Sequence, residues 1–131
     1  MDDYMFDNDM EPDEFIATAG EPLESTKSIA SEEAIIDALH TVYDPEIPVD
    51  IYELGLIYEI NIALNGSVDI KMSLTSPGCP VAGIMPGDVA RTVAQIPGVG
   101  EVTVKLVWDP MWTPDRMSED AKIMLGMLGI F

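Results

Sequence analysis

The only cysteine of this chain, Cys79, is the side chain with the clearest capacity for chemistry. It lies in the run Thr75-Ser76-Pro77-Gly78-Cys79-Pro80, between an alternating stretch typical of a strand and a stretch typical of a helix. Pro77 and Gly78 end the strand and Pro80 suits the first turn of a helix, so the pattern predicts a thiol near a positive helix N-terminus. Such a position favours the thiolate, the form that attacks electrophiles and binds metals. The alternative is a buried, inert cysteine, because free cysteine is among the most buried residue types.

Two other irregular segments carry side chains suited to a site. Asp44-Pro45-Glu46 holds two carboxylates around a rigid proline, and residues 108–114 carry Trp108 and Trp112. Together with residues 75–80, these segments could meet at one end of a sheet. The acidic pair also has a structural interpretation, in which Asp44 ends a helix and accepts hydrogen bonds from nearby backbone amides in an Asx turn. The tryptophans likewise can extend the core instead of forming a recognition surface.

The elements that must position these segments follow from the spacing of apolar residues. The patterns predict a helix from Ser31 to Tyr43, strands over 57–64 and 67–74 joined by an Asn65-Gly66 hairpin, a helix over about 80–95, a strand over 101–108, and a helix capped by Ser118. Pro86 and Gly87 should kink the 80–95 helix or split it into a short turn and a main helix. This α-β-β-α-β-α order predicts a small α+β domain with helices packed on one face of a three-stranded sheet. The sole histidine, His40, lies at the border of the first helix's apolar face, where we expect a structural role.

Charge and composition exclude several classes of function. The formal net charge is −18, from 6 basic and 24 acidic residues, so we expect neither nucleic acid nor an anionic membrane as a partner. No apolar run reaches the roughly 18 residues of a membrane span. One cysteine excludes an intramolecular disulfide and a multi-cysteine zinc site. The acidic N-terminus lacks the features of a secretory signal, so we expect a cytoplasmic protein.

Residues 1–30 differ in composition from the rest of the chain. They carry nine acidic residues against Lys27 alone, which predicts an acidic, disordered tail before a domain spanning residues 31–131. Aromatic and aliphatic residues are interleaved among the acids of its first half, a pattern that can serve as a docking segment for a partner. A merely solvating tail is the alternative interpretation.

Three runs taken together resemble a known family: residues 44–58, residues 75–80, and residues 107–112 with 117–121. They are similar to the metal–sulfur cluster biosynthetic family, which includes SufT-type and PaaD-like proteins with an iron–sulfur cluster assembly domain. The likeness spans residues 32–131. It implies an auxiliary factor of a SUF-type system, without established catalytic turnover, that helps to mature or deliver iron–sulfur clusters.

The same resemblance implies roles for individual residues. The family's reactive cysteine matches Cys79, and its Asp-Pro-Glu motif matches Asp44, Pro45 and Glu46. The loop around the thiol is matched by two further residues, Thr75 and Pro77.

Three hypotheses about function remain open from the sequence. In the first, Cys79 is a transient ligand of iron or of an iron–sulfur cluster, and the partners are an assembly scaffold and client apo-proteins. One thiol cannot hold a cluster alone, so the other ligands would come from a client or from a homodimer. In the second, Cys79 is the nucleophile of a thiol enzyme, with Asp44 or Glu46 as the base. The third is a purely structural adaptor between scaffold and client.

Overall fold

The computed structural model of the chain describes residues 15–23, 28–44, 47–75 and 84–127. Its regular elements are β1 (Phe15–Ala19), α1 (Glu32–Leu39), β2 (Ile57–Ile62), β3 (Val68–Met72), α2 (Met85–Ala94), β4 (Val102–Leu106) and α3 (Glu119–Met127). A short 3₁₀ turn, Pro114–Arg116, precedes α3. Six residues to which the sequence assigned a role lie outside the described residues: Pro45, Glu46, Pro77, Gly78, Cys79 and Pro80.

The sheet has four strands in the order β1-β4-β3-β2. β2 and β3 form an antiparallel hairpin, β3 and β4 run parallel, and β1 pairs antiparallel with β4. Parallel neighbours need a crossover connection, and α2 provides it between β3 and β4. The mixed α+β class is therefore confirmed.

The predicted number of three strands is wrong, because β1 comes from within residues 1–30. Phe15–Ala19 is an uncharged run in an otherwise acidic segment. An unpaired sheet edge offers a row of backbone donors and acceptors to any extended chain that can approach it. The outer edge of β4 takes up this run in regular register, from Phe15 opposite Leu106 to Ala19 opposite Val102.

The core lies on one face of the sheet. On β3 the side chains of Val68, Ile70 and Met72 are buried, whereas the intervening Asp69 and Lys71 are exposed. This alternation is typical of a sheet with one packed and one open face. Helices α1 and α2 add aliphatic side chains to the same buried cluster, including Ile35, Leu39, Val89 and Val93.

The predicted cap of α1 is confirmed, and the predicted hairpin forms with a different loop length. The hydroxyl of Ser31 accepts from the Ala34 amide at 3.1 Å, which caps α1. The hairpin between β2 and β3 closes with a bond of 2.8 Å from the Ala63 amide to the Ser67 carbonyl. That bond encloses three residues, with Gly66 at φ +91°, and not the two residues of the tightest hairpins.

Helix α2 begins at Met85, with Ile84 as its N-cap. This start agrees with the expected split of the 80–95 segment at Pro86, because proline fits the first turn of a helix but removes a hydrogen bond from its interior. Residues 80–83, where the short first turn was expected, lie outside the described residues. The first residue of α2 is the sixth residue after Cys79.

Candidate functional site

The strand register brings the three motif segments to one end of the sheet. Parallel β3 and β4 end side by side, with Met72 opposite Leu106. β2 begins at the same end, with Ile57 opposite Met72. The chain therefore enters β2 there, leaves β3 toward Thr75, and leaves β4 toward Trp108. The described parts of the three segments share this end, which we call the motif end.

Asp44 closes a turn in the first segment. Its side chain is buried, and its Oδ1 accepts a hydrogen bond of 3.0 Å from the Ile47 amide. The Asp44 amide donates to the Val49 carbonyl at 3.3 Å. The hydrogen bonding expected of an Asx-type turn at Asp44 is therefore confirmed, whereas the helix ends at Leu39 and not at Asp44.

Residues 50–56, which we call the connecting turn, lead from that segment into β2. Oδ1 of Asp50 accepts from the amides of Tyr52 and Glu53 at 3.0 and 2.9 Å. The Asp50 carbonyl accepts from the Leu54 amide at 3.1 Å, as at the start of a helix. This role of Asp50 was not among the sequence-based expectations. The available signal was the Asp50-x-x-Glu53 spacing, which is typical of a helix-start capping pattern.

His40, the C-cap residue of α1, joins the same turn. Its Nδ1 lies 3.2 Å from Oδ1 of Asp50 and 3.8 Å from Oε2 of Glu53. Its ring centroid is 5.0 Å from that of Tyr52. These contacts tie the end of α1 to the connecting turn, so the structural role expected of His40 is confirmed.

The tryptophan loop packs against the connecting turn and β2. Nε1 of Trp112 donates to the Leu54 carbonyl at 2.7 Å, and the Tyr58 hydroxyl donates to the Pro110 carbonyl at 2.8 Å. Trp108 and Trp112 are half-buried against the core. The interpretation of both rings as an extension of the core is thus confirmed, and their loop forms one wall of the motif end.

Residues 114–118 pass close over the connecting turn. Gly55 has φ +78°, and a Cβ added there would lie 2.7 Å from the carbonyl carbon of Arg116. The guanidinium carbon of Arg116 lies 4.3 Å from the ring centroid of Tyr58, within range of a cation–π interaction. The Ser118 amide donates to the Glu53 carbonyl at 2.8 Å, and the Ser118 hydroxyl bonds to the Glu53 carboxylate. Glycine at position 55 is therefore required for this close approach.

Ser73 and Thr75 belong to the segment that leads to the thiol. The Ser73 amide donates to the Leu56 carbonyl at 2.8 Å, which extends the β2–β3 pairing beyond the strands. Its side chain is fully buried, and its hydroxyl has no hydrogen-bond partner in the described part of the chain. Thr75 is half-buried and is the last described residue before the gap that contains Cys79.

Two further properties bear on function. Within residues 15–23, 28–44, 47–75 and 84–127, no group of three or more His, Cys, Asp or Glu side chains is arranged to hold a metal ion. None of the helices in these ranges has both the length and the apolar character needed to cross a membrane.

Comparison with known proteins gives consistent matches. The family described as iron-sulfur cluster assembly protein matches residues 32–104. A Fe-S protein maturation auxiliary factor from Porphyromonas gingivalis is 45% identical over 100 residues, which are 76% of this chain and 95% of that protein. The Fe-S protein maturation auxiliary factor SufT of Staphylococcus aureus is 43% identical over 86 residues, 66% of this chain and 98% of that protein.

A solved structure shows the same fold. The crystal structure of the domain of unknown function DUF59 from Bacillus anthracis aligns with a TM-score of 0.70 and 42% identity, over 73% of this chain and 92% of that chain. The family match begins at the first residue of α1, so β1 lies outside it.

Proposed function

Because the chain belongs to the iron–sulfur cluster assembly protein family, as its three motifs predicted, we propose that it is an auxiliary factor in the maturation of iron–sulfur proteins. Relatives with that name match it along almost their whole lengths. The proposal assigns it to a SUF-type system in the cytoplasm. Its partners are an assembly scaffold and client apo-proteins.

The observation that carries the proposal is the register that joins the three motif segments at one end of the sheet. Cys79 follows Thr75 by four residues, and four extended residues span at most about 14 Å. In the proposal, the thiol therefore acts at the motif end, beside the connecting turn and the tryptophan loop. We assign to Cys79 the contact with the cargo or with the client.

Iron or a cluster is cargo in this proposal. Cys79 is the only thiol of the chain, whereas an iron–sulfur cluster normally takes four thiolate-type ligands. The remaining ligands would come from the scaffold, from the client or from a second protomer. Such shared ligation suits transfer, because each partner holds only part of the coordination shell.

Asp44 has a positioning role in the proposal. Its buried carboxylate accepts a hydrogen bond from the Ile47 amide. A carboxylate held in this way is poorly suited to remove a proton from a thiol, which weakens the thiol-enzyme alternative with Asp44 as base. Glu46 is left as the acidic side chain that would orient ligands or partner groups around Cys79.

Complementation in a strain that lacks the gene tests the role of the thiol. Cys79→Ala should fail to restore the specific activity of iron–sulfur dehydratases, with the protein present at wild-type level by immunoblot. Asp37→Ala is the matched control for Asp44→Ala, because Asp37 is exposed on α1 whereas Asp44 is buried. We expect activity to fall with Asp44→Ala and to stay unchanged with Asp37→Ala. Full activity with Cys79→Ala would instead support the structural adaptor.

A second experiment separates transfer from catalysis. Wild type and Cys79→Ala are reconstituted anaerobically with iron and sulfide, and absorption and Mössbauer spectra are recorded with and without an apo-protein acceptor. Under the proposal, iron bound through the thiol appears in the acceptor in stoichiometric amounts, and Cys79→Ala delivers none. Equal delivery by both proteins would remove the thiol from the mechanism.

A further inference from the structure

A cleft of about 230 Å³ lies between α3 and a stretch of the chain that includes Tyr43, residues 48–49 and the connecting turn. Its floor is apolar, because Val49 and Ala121 line it and are 2% and 1% exposed. Tyr43 and Met124 also line it and are 60% and 41% exposed, so their apolar surfaces remain open to a partner. The cleft therefore presents uncovered apolar surface on an otherwise strongly acidic protein.

Three carboxylates accompany this apolar surface: Asp50 and Glu53 on the connecting turn, and Asp120 in the first turn of α3. No lysine or arginine lines the cleft. Backbone amides hold Asp50, and the Ser118 hydroxyl holds Glu53, so two of the carboxylates have fixed positions. A cation that enters would meet negative charge already in place, with little side-chain reorganisation.

We propose that this cleft binds an arginine side chain presented by a partner protein. An arginine has an aliphatic stem that can pack on Val49 and Met124 while its charged head stays at the acidic rim. Its planar guanidinium donates to carboxylates in paired geometry and stacks on aromatic faces such as that of Tyr43. Lysine, with a compact and strongly hydrated charge, matches this combination less well.

The size of the cleft limits the occupant. Sites for cofactors and drug-sized ligands usually span about 300–1,000 Å³, so this cleft suits one side chain better than a whole small molecule. The net charge of −18 attracts basic surfaces and repels acidic ones over long range. Both observations favour a protruding basic residue on a protein surface.

Neither of the two arginines of the chain is a candidate occupant. Residues 1–14 contain seven acidic residues and no basic one, so the cleft would repel them. Arg91 pairs with Asp88 on α2, and Arg116 lies over the Tyr58 ring. The arginine must therefore come from another protein.

This inference deepens the proposed function, since the partner would be a scaffold or a client, but it does not involve Cys79. The test uses the full chain with ¹³C-labelled methionine methyl groups. The Met124 signal is identified as the one that disappears in Met124→Leu. The probes are N-acetyl-arginine N-methylamide, the lysine analogue, and the uncharged citrulline analogue.

We expect the arginine probe to shift the Met124 methyl signal in a saturable manner, the lysine probe to bind more weakly, and the citrulline probe to cause no shift. Asp120→Asn should weaken arginine binding about two- to fivefold, the upper part of the range for one exposed charge pair. Glu119→Gln is the matched control, because it removes the same charge from the same helix turn at a residue that does not line the cleft. Affinity should change less than twofold in that control.

Three outcomes would overturn the inference: equal shifts with arginine and citrulline, equal losses in the two α3 variants, or shifts confined to other methionines. Cys79→Ala should leave probe binding unchanged. If Cys79→Ala abolishes maturation but the arginine probe fails to bind the cleft, the cleft assignment alone is wrong. If the probe binds as expected but Cys79→Ala supports full maturation, the proposed role of the thiol is wrong and the cleft assignment stands.

Discussion

Replacing Gly55 with alanine should destabilise the motif end. The same replacement at Gly126 in α3 should destabilise the protein less. Gly55 has φ +78°, where a side chain is strained, and the new Cβ would lie 2.7 Å from the carbonyl carbon and 2.9 Å from the Cβ of Arg116. These are backbone and near-backbone atoms, so rotation of a flexible side chain cannot relieve the contact. Residues 114–118 must then move away from the connecting turn.

The magnitude follows from these two effects. The left-handed conformation costs an alanine about 1–2 kcal/mol. Displacing residues 114–118 threatens the Trp112 bond to the Leu54 carbonyl and the Arg116 contact with Tyr58, each worth roughly 0.5–1.5 kcal/mol. The expected loss in the free energy of unfolding is about 2–5 kcal/mol. With a urea m-value of about 2 kcal/mol/M, the midpoint falls by about 1–2.5 M.

Urea unfolding followed by tryptophan fluorescence measures this loss, since both tryptophans, Trp108 and Trp112, lie in the loop at issue. Gly126→Ala is the matched control. A Cβ at Gly126 meets no heavy atom within 4 Å, and alanine favours a helix by up to about 1 kcal/mol. The reasoning is refuted if Gly55→Ala unfolds at the wild-type midpoint, or if Gly126→Ala loses as much stability.

Four further substitutions test individual side chains by the same unfolding measurement. Ser73→Ala removes a buried hydroxyl that has no partner among the described residues, so stability should stay equal or rise by up to about 1 kcal/mol. Ser118→Ala removes the cap of α3 and should cost about 1 kcal/mol. Asp50→Ala removes the acceptor of two amides in the connecting turn and should cost about 2–3 kcal/mol. Its control, Asp37→Ala at an exposed position, should cost less than about 0.5 kcal/mol. Equal losses would contradict the stabilising role of Asp50 in the turn. Trp112→Phe keeps an aromatic ring but loses the indole donor, and should cost about 1 kcal/mol, with no loss if that bond is unimportant.

Local signals in the sequence predicted most of the regular elements of residues 31–127. Alternation of apolar and polar residues predicted β2, β3 and β4, because side chains of a strand point to opposite faces and only one face of this sheet is covered. Ser31 and Ser118 marked helix starts, because their hydroxyls can satisfy amides that have no partner inside the helix. Such signals need only a few neighbouring residues, so they can be read before the fold is known.

The site was predicted only in part, because some of its contacts join residues that are far apart in the sequence. The acidic turn and the tryptophan loop were identified by residue type, and the Asx turn at Asp44 was anticipated from its neighbours. The contacts of Gly55 with Arg116 and of Trp112 with Leu54 join residues about 60 positions apart in the chain. No local pattern encodes such a pairing.

The sequence by itself determined the local elements, their order, the acidic charge and the residue types that belong to the family. Only the tertiary structure decided that β1 adds a fourth strand, that the three motif segments share one end of the sheet, and that Asp50, Glu53 and Asp120 surround an apolar cleft. The physical reason is the separation, along the chain, of the residues that interact. Caps and alternation depend on bonds between near neighbours, whereas edge pairing, parallel register and clefts arise only when distant segments of the chain are packed together.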